Sequence, residues 1–389
     1  MRYTLEEICY IWELNIWPMR KVLFAMVAAV ILASCGGGNN QKIKVAVFQG
    51  DGGAVTCIRE TVAALSLDED MEVRIVHSSD IAAGVLDSLD AIVIPGGGGS
   101  RQYLNLGQTN MALIKDFVHR GGGAVGICAG AYLFSNTPDY TCMALTGARA
   151  IDREHDNRGH GMAKMTLNKE GKKIFHELAK EDTSYVFYYE GPVFVESDVP
   201  YTSFGTMESD VHEEGGAPAN MTDGKPFLTG NDYGKGKVFT VVGHPEATPG
   251  KMWMVPRMVR WTLGKPLKTY PTEVLTPPVA PEEILMSVDD LRYESQCFQT
   301  FLYGTAQEKV AALGWLEDHY SWDCKTWLQG LLYDASPQVR ARAAKYIEAI
   351  QYLPYEADLK AALLRENDTK ARAAMQQALD ALVALRPWK

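Results

Sequence analysis

One cysteine in this sequence has the surroundings of a catalytic nucleophile. Cys128 follows the short apolar segment 124–127, and Gly126 and Gly130 lie two positions before and after it. A strand that turns sharply into a helix at a nucleophile requires small neighbours, because the turn is crowded. The N-terminus of the following helix would favour the thiolate. The pattern therefore predicts a nucleophile elbow at Cys128. The alternative is a buried structural cysteine beside a glycine-rich turn.

A thiol nucleophile also needs a base to take its proton and an acid to orient that base. His244 and Glu246 stand in the segment Gly-His-Pro-Glu, directly after a predicted strand. A carboxylate two residues from an imidazole can hold it in one tautomer. A lone His-x-Glu is a weak pattern, but with the cysteine elbow upstream it predicts a triad of Cys128, His244 and Glu246.

The segments that would position these groups alternate between strands and helices. The predicted strands are 43–48, 72–77, 91–94 and 124–127, and the predicted helices are 56–67 and 111–120. This alternation is typical of a doubly wound α/β sheet, in which ligands bind at the carboxyl ends of the strands. The loops 49–53 and 95–99 and Cys128 should all lie at that edge. Further along, 161–167, 185–196 and 237–242 are predicted to be β-structure, and 253–263 is predicted to be a helix.

The composition changes after this region. Residues 266–282 are rich in proline and are predicted to form an extended linker after an α/β domain over 43–265. Residues 283–389 are predicted to be helical, and they contain Ala-Arg-Ala-Ala twice, about 30 residues apart, which is the scale of a helical repeat. The pattern resembles HEAT-like repeats; a plain helical bundle is the alternative.

The amino end resembles a bacterial lipoprotein signal. A basic start at Met19 precedes an apolar run of about 11 residues, too short to span a bilayer, which ends at Leu-Ala-Ser-Cys35. We expect residues 1–35 to be a leader, 36–42 a tether, Cys35 the lipidated residue and Met19 the true start. The chain would then be exported and anchored to the cell envelope, at the outer membrane or cell surface. An ordinary cleaved signal or an N-terminal anchor is the alternative.

Net charge and cysteine content indicate which partners and which thiols to expect. The chain has 389 residues and a formal net charge of −10, which argues against a nucleic-acid partner. Of its seven cysteines, two lie in the leader, so an odd number remains and at least one thiol stays free unless it pairs between chains. Cys128 is the expected free thiol. Disulfides among the others are permitted outside the cytoplasm.

Cys128 in Gly-Ile-Cys-Ala-Gly and His244-Pro-Glu246 together resemble the triad of class I glutamine amidotransferases. The more similar family is the amidotransferase-like domain at the N-terminus of some biotin–protein ligases, whose pattern is echoed by Pro-Gly-Gly at 95–97, by Tyr103 and by Gly-Gly-Gly at 121–123. The resemblance covers about 43–263 and implies a flavodoxin-like fold.

The resemblance also implies roles for individual residues. Cys128 would be the nucleophile, His244 the base and Glu246 the residue that orients it. Backbone N–H groups of Gly97 or Gly98 and of Ala129 would form an oxyanion hole, and such donors are typically worth about 3–4 kcal/mol of barrier. No cofactor or metal is expected.

Several other residues are weaker candidates. Gly50, Tyr103 and Glu190 could line a substrate pocket, although a solvated loop carboxylate is an alternative for Glu190. His155 and His160, with Arg158 between them, could bind a metal, but a loop that packs against the active site is favoured.

Two classes of function follow. The first is a membrane-anchored, thiol-dependent amidohydrolase or peptidase that acts on a small-molecule or peptide amide. The second is a non-catalytic binding or scaffold lipoprotein, with a protein partner held by the helical domain. No synthetase and no biotin-ligase catalytic domain follows the α/β region, and an exported protein has no ATP supply. Glutamine is therefore a poor candidate substrate.

The lipoprotein interpretation predicts the effect of one substitution. Replacing Cys35 by Ala removes the thiol that would carry the lipid, so the protein should move from the membrane fraction to the soluble fraction after cell lysis. Unchanged partitioning of Cys35→Ala between the two fractions would contradict this interpretation.

Overall fold

The computed structural model describes residues 42–151, 158–279 and 281–388. The predicted leader, most of the tether, Cys35 and His155 lie outside the described residues. The chain from Ile43 to Lys389 forms one compact unit. Among the described residues, no helix is long and apolar enough to cross a membrane.

The α/β part is organised around five parallel strands. They are β1 (Ile43–Phe48), β2 (Met71–Val76), β3 (Ala91–Ile94), β4 (Gly123–Ile127) and β11 (Gly236–Val241). Their spatial order is β2-β1-β3-β4-β11. This is the flavodoxin order, and it confirms the predicted doubly wound α/β fold. Apart from the edge strand β2, the strands are buried on both faces, which explains their nearly continuous apolar sequences.

An antiparallel extension continues the same sheet beyond β11. It consists of β6 (His160–Leu167), β7 (Ser184–Tyr189), β9 (Thr202–Met207), β10 (Pro226–Tyr233) and β12 (Ile284–Leu285). A separate pair is formed by β5 (Arg149–Ala150) and β8 (Phe194–Val195). The strands β9 and β10 were not predicted from the sequence.

Seven helices accompany the α/β part within the described residues. They are α1 (Val55–Leu65), α2 (Ser78–Ala82), α3 (Gly99–His119), α4 (Ala129–Phe134), α5 (Lys169–Ile174), α6 (Met254–Thr262) and α7 (Thr272–Leu275). Short 3₁₀ turns occur at Val85–Ser88, His176–Leu178 and Pro245–Ala247. The helix α3 starts earlier than the apolar periodicity predicted, because Gly107 takes a φ of 68° inside it and interrupts the pattern.

The proline-rich segment packs against the α/β part. The Arg260 side chain donates to the Pro266 carbonyl oxygen at 3.1 Å, and the Tyr270 hydroxyl donates to Asp68 at 3.2 Å. Tyr270 and Val274 are buried. The domain boundaries drawn from the sequence stay a prediction, but this segment is anchored by side chains that a free linker would not bury.

The C-terminal region is all-α in the described residues, apart from β12 near its start, as predicted. It comprises α8 (Val288–Tyr303), α9 (Ala306–Asp318), α10 (Lys325–Leu331), α11 (Pro337–Ala349), α12 (Glu356–Leu363) and α13 (Thr369–Ala384), with a 3₁₀ turn at Leu353–Tyr355. The helices α11 and α13, which carry the two Ala-Arg-Ala-Ala segments, pack directly on one another. Alanines on the facing sides allow this close approach.

Buried polar contacts join the helical region to the α/β part. Lys325 on α10 forms an ion pair with Glu60 on α1 at 2.6 Å, and both side chains are buried. Gln351 accepts a hydrogen bond from the Gly250 N–H at 2.7 Å and donates to the Glu273 carbonyl oxygen at 3.0 Å. These contacts explain why residues from Ile43 onwards form one unit.

The Glu60–Lys325 pair generates a stability prediction. Lys325→Met should lower the free energy of unfolding by about 3–5 kcal/mol, because it leaves the Glu60 carboxylate buried without its cation. The double variant Glu60→Gln, Lys325→Met should recover most of that loss, since no uncompensated charge remains. Urea denaturation of the full chain measures both. An equal fall in the free energy of unfolding in the single and double variants would mean that the ion pair does not stabilise this interface.

Candidate active site

The backbone at Cys128 forms a sharp turn between β4 and α4. Cys128 has φ = 50° and ψ = −105°, a left-handed conformation that costs energy for a residue with a side chain. Its N–H donates to the Val241 carbonyl oxygen at 2.9 Å, and its own carbonyl oxygen accepts from Ala131 and Tyr132. The turn therefore lies at the carboxyl ends of β4 and β11, as a nucleophile elbow requires.

The glycines around Cys128 are required by close backbone contacts. A β-carbon on Gly130 would lie 2.0 Å from the Ile94 carbonyl oxygen, and one on Gly126 would lie 2.6 Å from the Gly130 carbonyl oxygen. Neither backbone can move without disturbing the sheet. The small residues that flank the cysteine are thus explained by packing between β3, β4 and α4.

His244 and Glu246 follow β11 at the same edge of the sheet. The His244 Nδ1 atom lies 2.8 Å from a Glu246 carboxylate oxygen, and both side chains are about 2% exposed or less. The main-chain N–H of His244 donates to the Phe187 carbonyl oxygen at 2.6 Å, and the Thr248 hydroxyl donates to the His244 carbonyl oxygen at 2.7 Å. The loop that carries the imidazole is therefore fixed at both its main-chain groups.

The environment of His244 favours its protonated form. Burial by itself would lower the pKa of the imidazole, but the neighbouring Cys128 and Glu246 groups and the hydrogen bonds to Cys128 and Cys57 outweigh it. They hold the pKa well above its usual value. This is the behaviour of an imidazole that shares a proton with a thiol and is stabilised by a carboxylate.

A second thiol, that of Cys57 on α1, lies beside the same imidazole. The Cys57 sulfur, a His244 ring nitrogen and a Glu246 oxygen lie within 4.8 Å of one another. A β-carbon on Gly96 would lie 2.7 Å from the imidazole and 3.0 Å from this sulfur, so only glycine fits there. Burial raises the pKa of the Cys57 thiol although His244 opposes the shift. We interpret the cluster as a proton-transfer group rather than a metal site, because Cys57 retains its proton and Nδ1 already contacts Glu246.

The candidates for an oxyanion hole differ in whether their backbone N–H groups are already used. The Gly98 N–H is already used, since it donates to the Gly52 carbonyl oxygen at 2.7 Å. In the described part of the chain the Gly97 N–H has no such acceptor, and Gly97 has φ = +140°. Ala129 is the first residue of α4, so its N–H has no partner within the helix. Of the residues that the sequence suggested for the oxyanion hole, Gly97 and Ala129 are therefore the better pair.

The candidate pocket residues lie in different parts of this edge. Gly50 lines a cavity of 390 Å³ together with Asp51, His77 and Asn105. Tyr103 is half-buried against the apolar cluster that covers the other side of the sheet. Glu190 has φ = 48° and follows Tyr189, whose carbonyl oxygen lies 3.5 Å from the Cys128 sulfur. Of the three, Glu190 is the one that the structure places next to a residue in contact with the thiol.

Arg158 and His160, from the segment that was weighed as a metal site, contact residues 188–191. Arg158 is fully buried and donates to the Gly191 carbonyl oxygen at 2.5 Å and to the Tyr188 hydroxyl at 3.3 Å. His160 stacks on Tyr189 with ring centroids 4.5 Å apart. Burial lowers the pKa of His160 to about 4, so it is neutral at physiological pH.

Sequence reasoning missed three groups at this site. Cys57 and Gly96 both come after predicted strands, at the carboxyl edge of the sheet. Their position in the sequence could therefore have suggested that they lie near the site. The third is Trp322, which precedes α10 and packs on His244 with ring centroids 4.7 Å apart. No sequence pattern connects Trp322 to the triad. The five cysteines in the described residues are all free thiols, Cys128 among them.

The close packing at the elbow predicts the effect of Gly130→Ala. The added β-carbon would overlap the Ile94 carbonyl oxygen, so the free energy of unfolding should fall by about 3 kcal/mol or more. Gly314→Ala is the matched control, because nothing lies within 4 Å of a β-carbon there and α9 should gain about 0.5–1 kcal/mol. Thermal and urea unfolding compare the two; similar values for both variants would refute the packing argument.

Part of the α/β region is similar to known proteins. Residues 43–154 match the family model described as the N-terminal part of biotin-protein ligase. No curated protein matches the chain. Similar solved structures include PurLQS from Thermotoga maritima, with 17% identity over 57% of this chain and 97% of that chain and a TM-score of 0.43. Another is a thua-like protein from Bacteroides uniformis, with 10% identity over 58% of this chain and 94% of that chain and a TM-score of 0.43. The predicted resemblance to the N-terminal domain of biotin–protein ligases is therefore confirmed for residues 43–154 of this chain.

Proposed function

We propose that this protein is a thiol-dependent hydrolase of amide bonds, with Cys128 as nucleophile, His244 as general base and Glu246 as the residue that orients the imidazole. The observation that carries the proposal is the arrangement of these groups. A strained elbow holds Cys128 at the edge of the sheet where the His244 imidazole is bonded to Glu246 through Nδ1, and the Cys128 thiol is one of the groups that raise the pKa of that imidazole.

The geometry supports a two-step reaction. His244 takes the Cys128 proton, and the thiolate attacks the amide carbonyl carbon to form a tetrahedral oxyanion. The Gly97 and Ala129 N–H groups would donate to that oxygen. Collapse breaks the C–N bond, and His244 gives its proton to the leaving amine, which leaves a thioester on Cys128. Water then attacks the thioester, transfers a proton through His244 and releases the carboxylic acid and the thiol.

The substrate class follows from what surrounds the α/β part. The region that follows the α/β part is helical, and we propose simple hydrolysis rather than transfer of ammonia to a second substrate. The substrate would be a small-molecule or peptide amide of the cell envelope. Anchoring of the exported chain through a lipid on Cys35 remains part of this proposal, as does a protein partner bound by the helical region.

Reactivity of the individual thiols tests the proposal. Cys128 should react with iodoacetamide faster at neutral pH than Cys142, although Cys142 is the more exposed of the two thiols. Burial raises the pKa of Cys57 and Cys297, to about 11 for Cys297, so those thiols should react slowly. Mass spectrometry of the labelled full chain across pH reads each cysteine separately.

Variants of the triad sharpen this test. His244→Ala should slow labelling of Cys128 about tenfold or more at neutral pH, since a thiol without its base returns towards a pKa of about 8.5. Glu246→Ala should slow it less, because the carboxylate acts only through the imidazole. Labelling of Cys128 no faster than that of Cys142, and unchanged in His244→Ala, would favour the binding or scaffold function instead.

A further inference from the structure

The helical region places an aromatic side chain directly on the proposed catalytic base. Trp322 lies in the turn before α10, is half-buried, and packs on His244 with ring centroids 4.7 Å apart at an interplanar angle of 56°. It also stacks on Phe187, with centroids 4.9 Å apart at 28°. Phe187 is the residue whose carbonyl oxygen accepts the His244 N–H. Trp322 thus contacts both the imidazole and the strand that holds its main chain.

We propose that Trp322 is a positioning residue for His244, so that the C-terminal helical region completes the active site of the α/β part instead of forming an independent binding module. This inference rests on the proposed function, since it assigns Trp322 to the same thiol–imidazole pair.

The first argument concerns the freedom of the imidazole. Glu246 fixes one edge of the ring through Nδ1, and the main chain of His244 is fixed by Phe187 and Thr248. These contacts by themselves do not fix the tilt of the ring about the Nδ1 hydrogen bond. The indole of Trp322 packs on the ring and restricts this tilt, which would keep the imidazole oriented for proton transfer with the thiol.

The second argument concerns how Trp322 itself is held. The Lys325 ammonium lies 3.3 Å from the centroid of the Trp322 ring, an approach that a cation and an aromatic face favour. Lys325 is in turn paired with Glu60 at 2.6 Å. Glu60 lies one helical turn after Cys57 on α1, the helix that forms the wall beside His244. The position of the indole is therefore tied to that wall by a buried ion pair.

The third argument concerns water and charge. His244 and Glu246 are nearly inaccessible, and the indole is part of what excludes water from them. The attraction between a thiolate and an imidazolium is stronger where water is excluded. The titratable and charged groups that surround the pair are Cys57, Glu60, Glu246, Lys325, Tyr132, Tyr188 and Arg158. Loss of the indole would admit water among these groups and weaken the coupling between Cys128 and His244.

The experiment is the pH dependence of Cys128 alkylation in the full chain. In Trp322→Ala the midpoint of the profile should move up by about one unit towards that of an ordinary thiol, which lowers the rate at pH 6 about tenfold. At pH 9, where an ordinary thiol is largely ionised, the rate should change less than about threefold. Trp322→Phe retains an aromatic face and should restore most of the wild-type midpoint.

Two further variants separate positioning from general destabilisation. Trp315 on α9 is also half-buried and contacts other aromatic rings, His319 and Tyr293, away from the triad. Trp315→Ala should therefore lower stability without moving the midpoint. Trp322→Leu retains apolar volume without an aromatic ring and should also shift the midpoint. It provides the test if Trp322→Ala fails to fold.

The outcomes distinguish the two proposals. If wild-type Cys128 is not activated at all, the proposed function fails and the role of Trp322 fails with it. If wild-type Cys128 is activated, but Trp322→Ala and Trp322→Leu keep its midpoint, the function stands and the positioning role of Trp322 is overturned. An equal shift in Trp315→Ala would likewise overturn it, because the effect would then come from destabilisation.

Discussion

The left-handed backbone of Cys128 is the constraint on which the rest of this structure depends. A residue with a side chain takes φ = 50° only where its surroundings enforce it, and here the enforcing contact is between Gly130 and the Ile94 carbonyl oxygen. That contact sets the distance between α4 and the neighbouring strand β3. The same turn directs the Cys128 N–H at Val241 on β11, the strand whose end carries His244. The strained backbone at Cys128 therefore depends on the order of the parallel strands, because β3 and β11 are the neighbours of β4.

Exclusion of water gives this arrangement its chemical character. The imidazole of His244 is buried, and a buried cation is costly unless anionic or hydrogen-bonding groups surround it. Glu246 supplies a fixed acceptor, and Cys128 supplies a proton that can be shared. Cys57 is buried beside the same ring and yet holds its own proton more firmly, because burial raises its pKa. Both thiols are buried, but only Cys128 has the strained backbone of the elbow, which makes the elbow the feature that selects Cys128.

The helical region changes how the α/β part should be regarded. A buried ion pair between Glu60 and Lys325 crosses the boundary between the two parts, and Gln351 bonds to backbone groups on the α/β side. Each of these groups would lose its partner if the helices were removed, and an unpaired buried charge or amide is costly. The single compact unit from Ile43 onwards follows from these contacts. Trp322, from the helical region, packs directly on the His244 ring of the α/β part.

The sequence determined what depends on local pattern. Apolar runs of four to six residues predicted β1, β3 and β4, and the small residues around Cys128 predicted the turn. The alternation of strands and helices predicted that Cys128 and the loops 49–53 and 95–99 share an edge. Only the tertiary structure decided which groups converge there from distant parts of the chain. Cys57, Gly96 and Trp322 reach His244 from three different segments, and the Gly98 N–H is already used by a loop far from it in sequence. Periodicity reports the environment of a residue within its own helix or strand, whereas contacts between segments depend on how the elements pack, which no local pattern encodes.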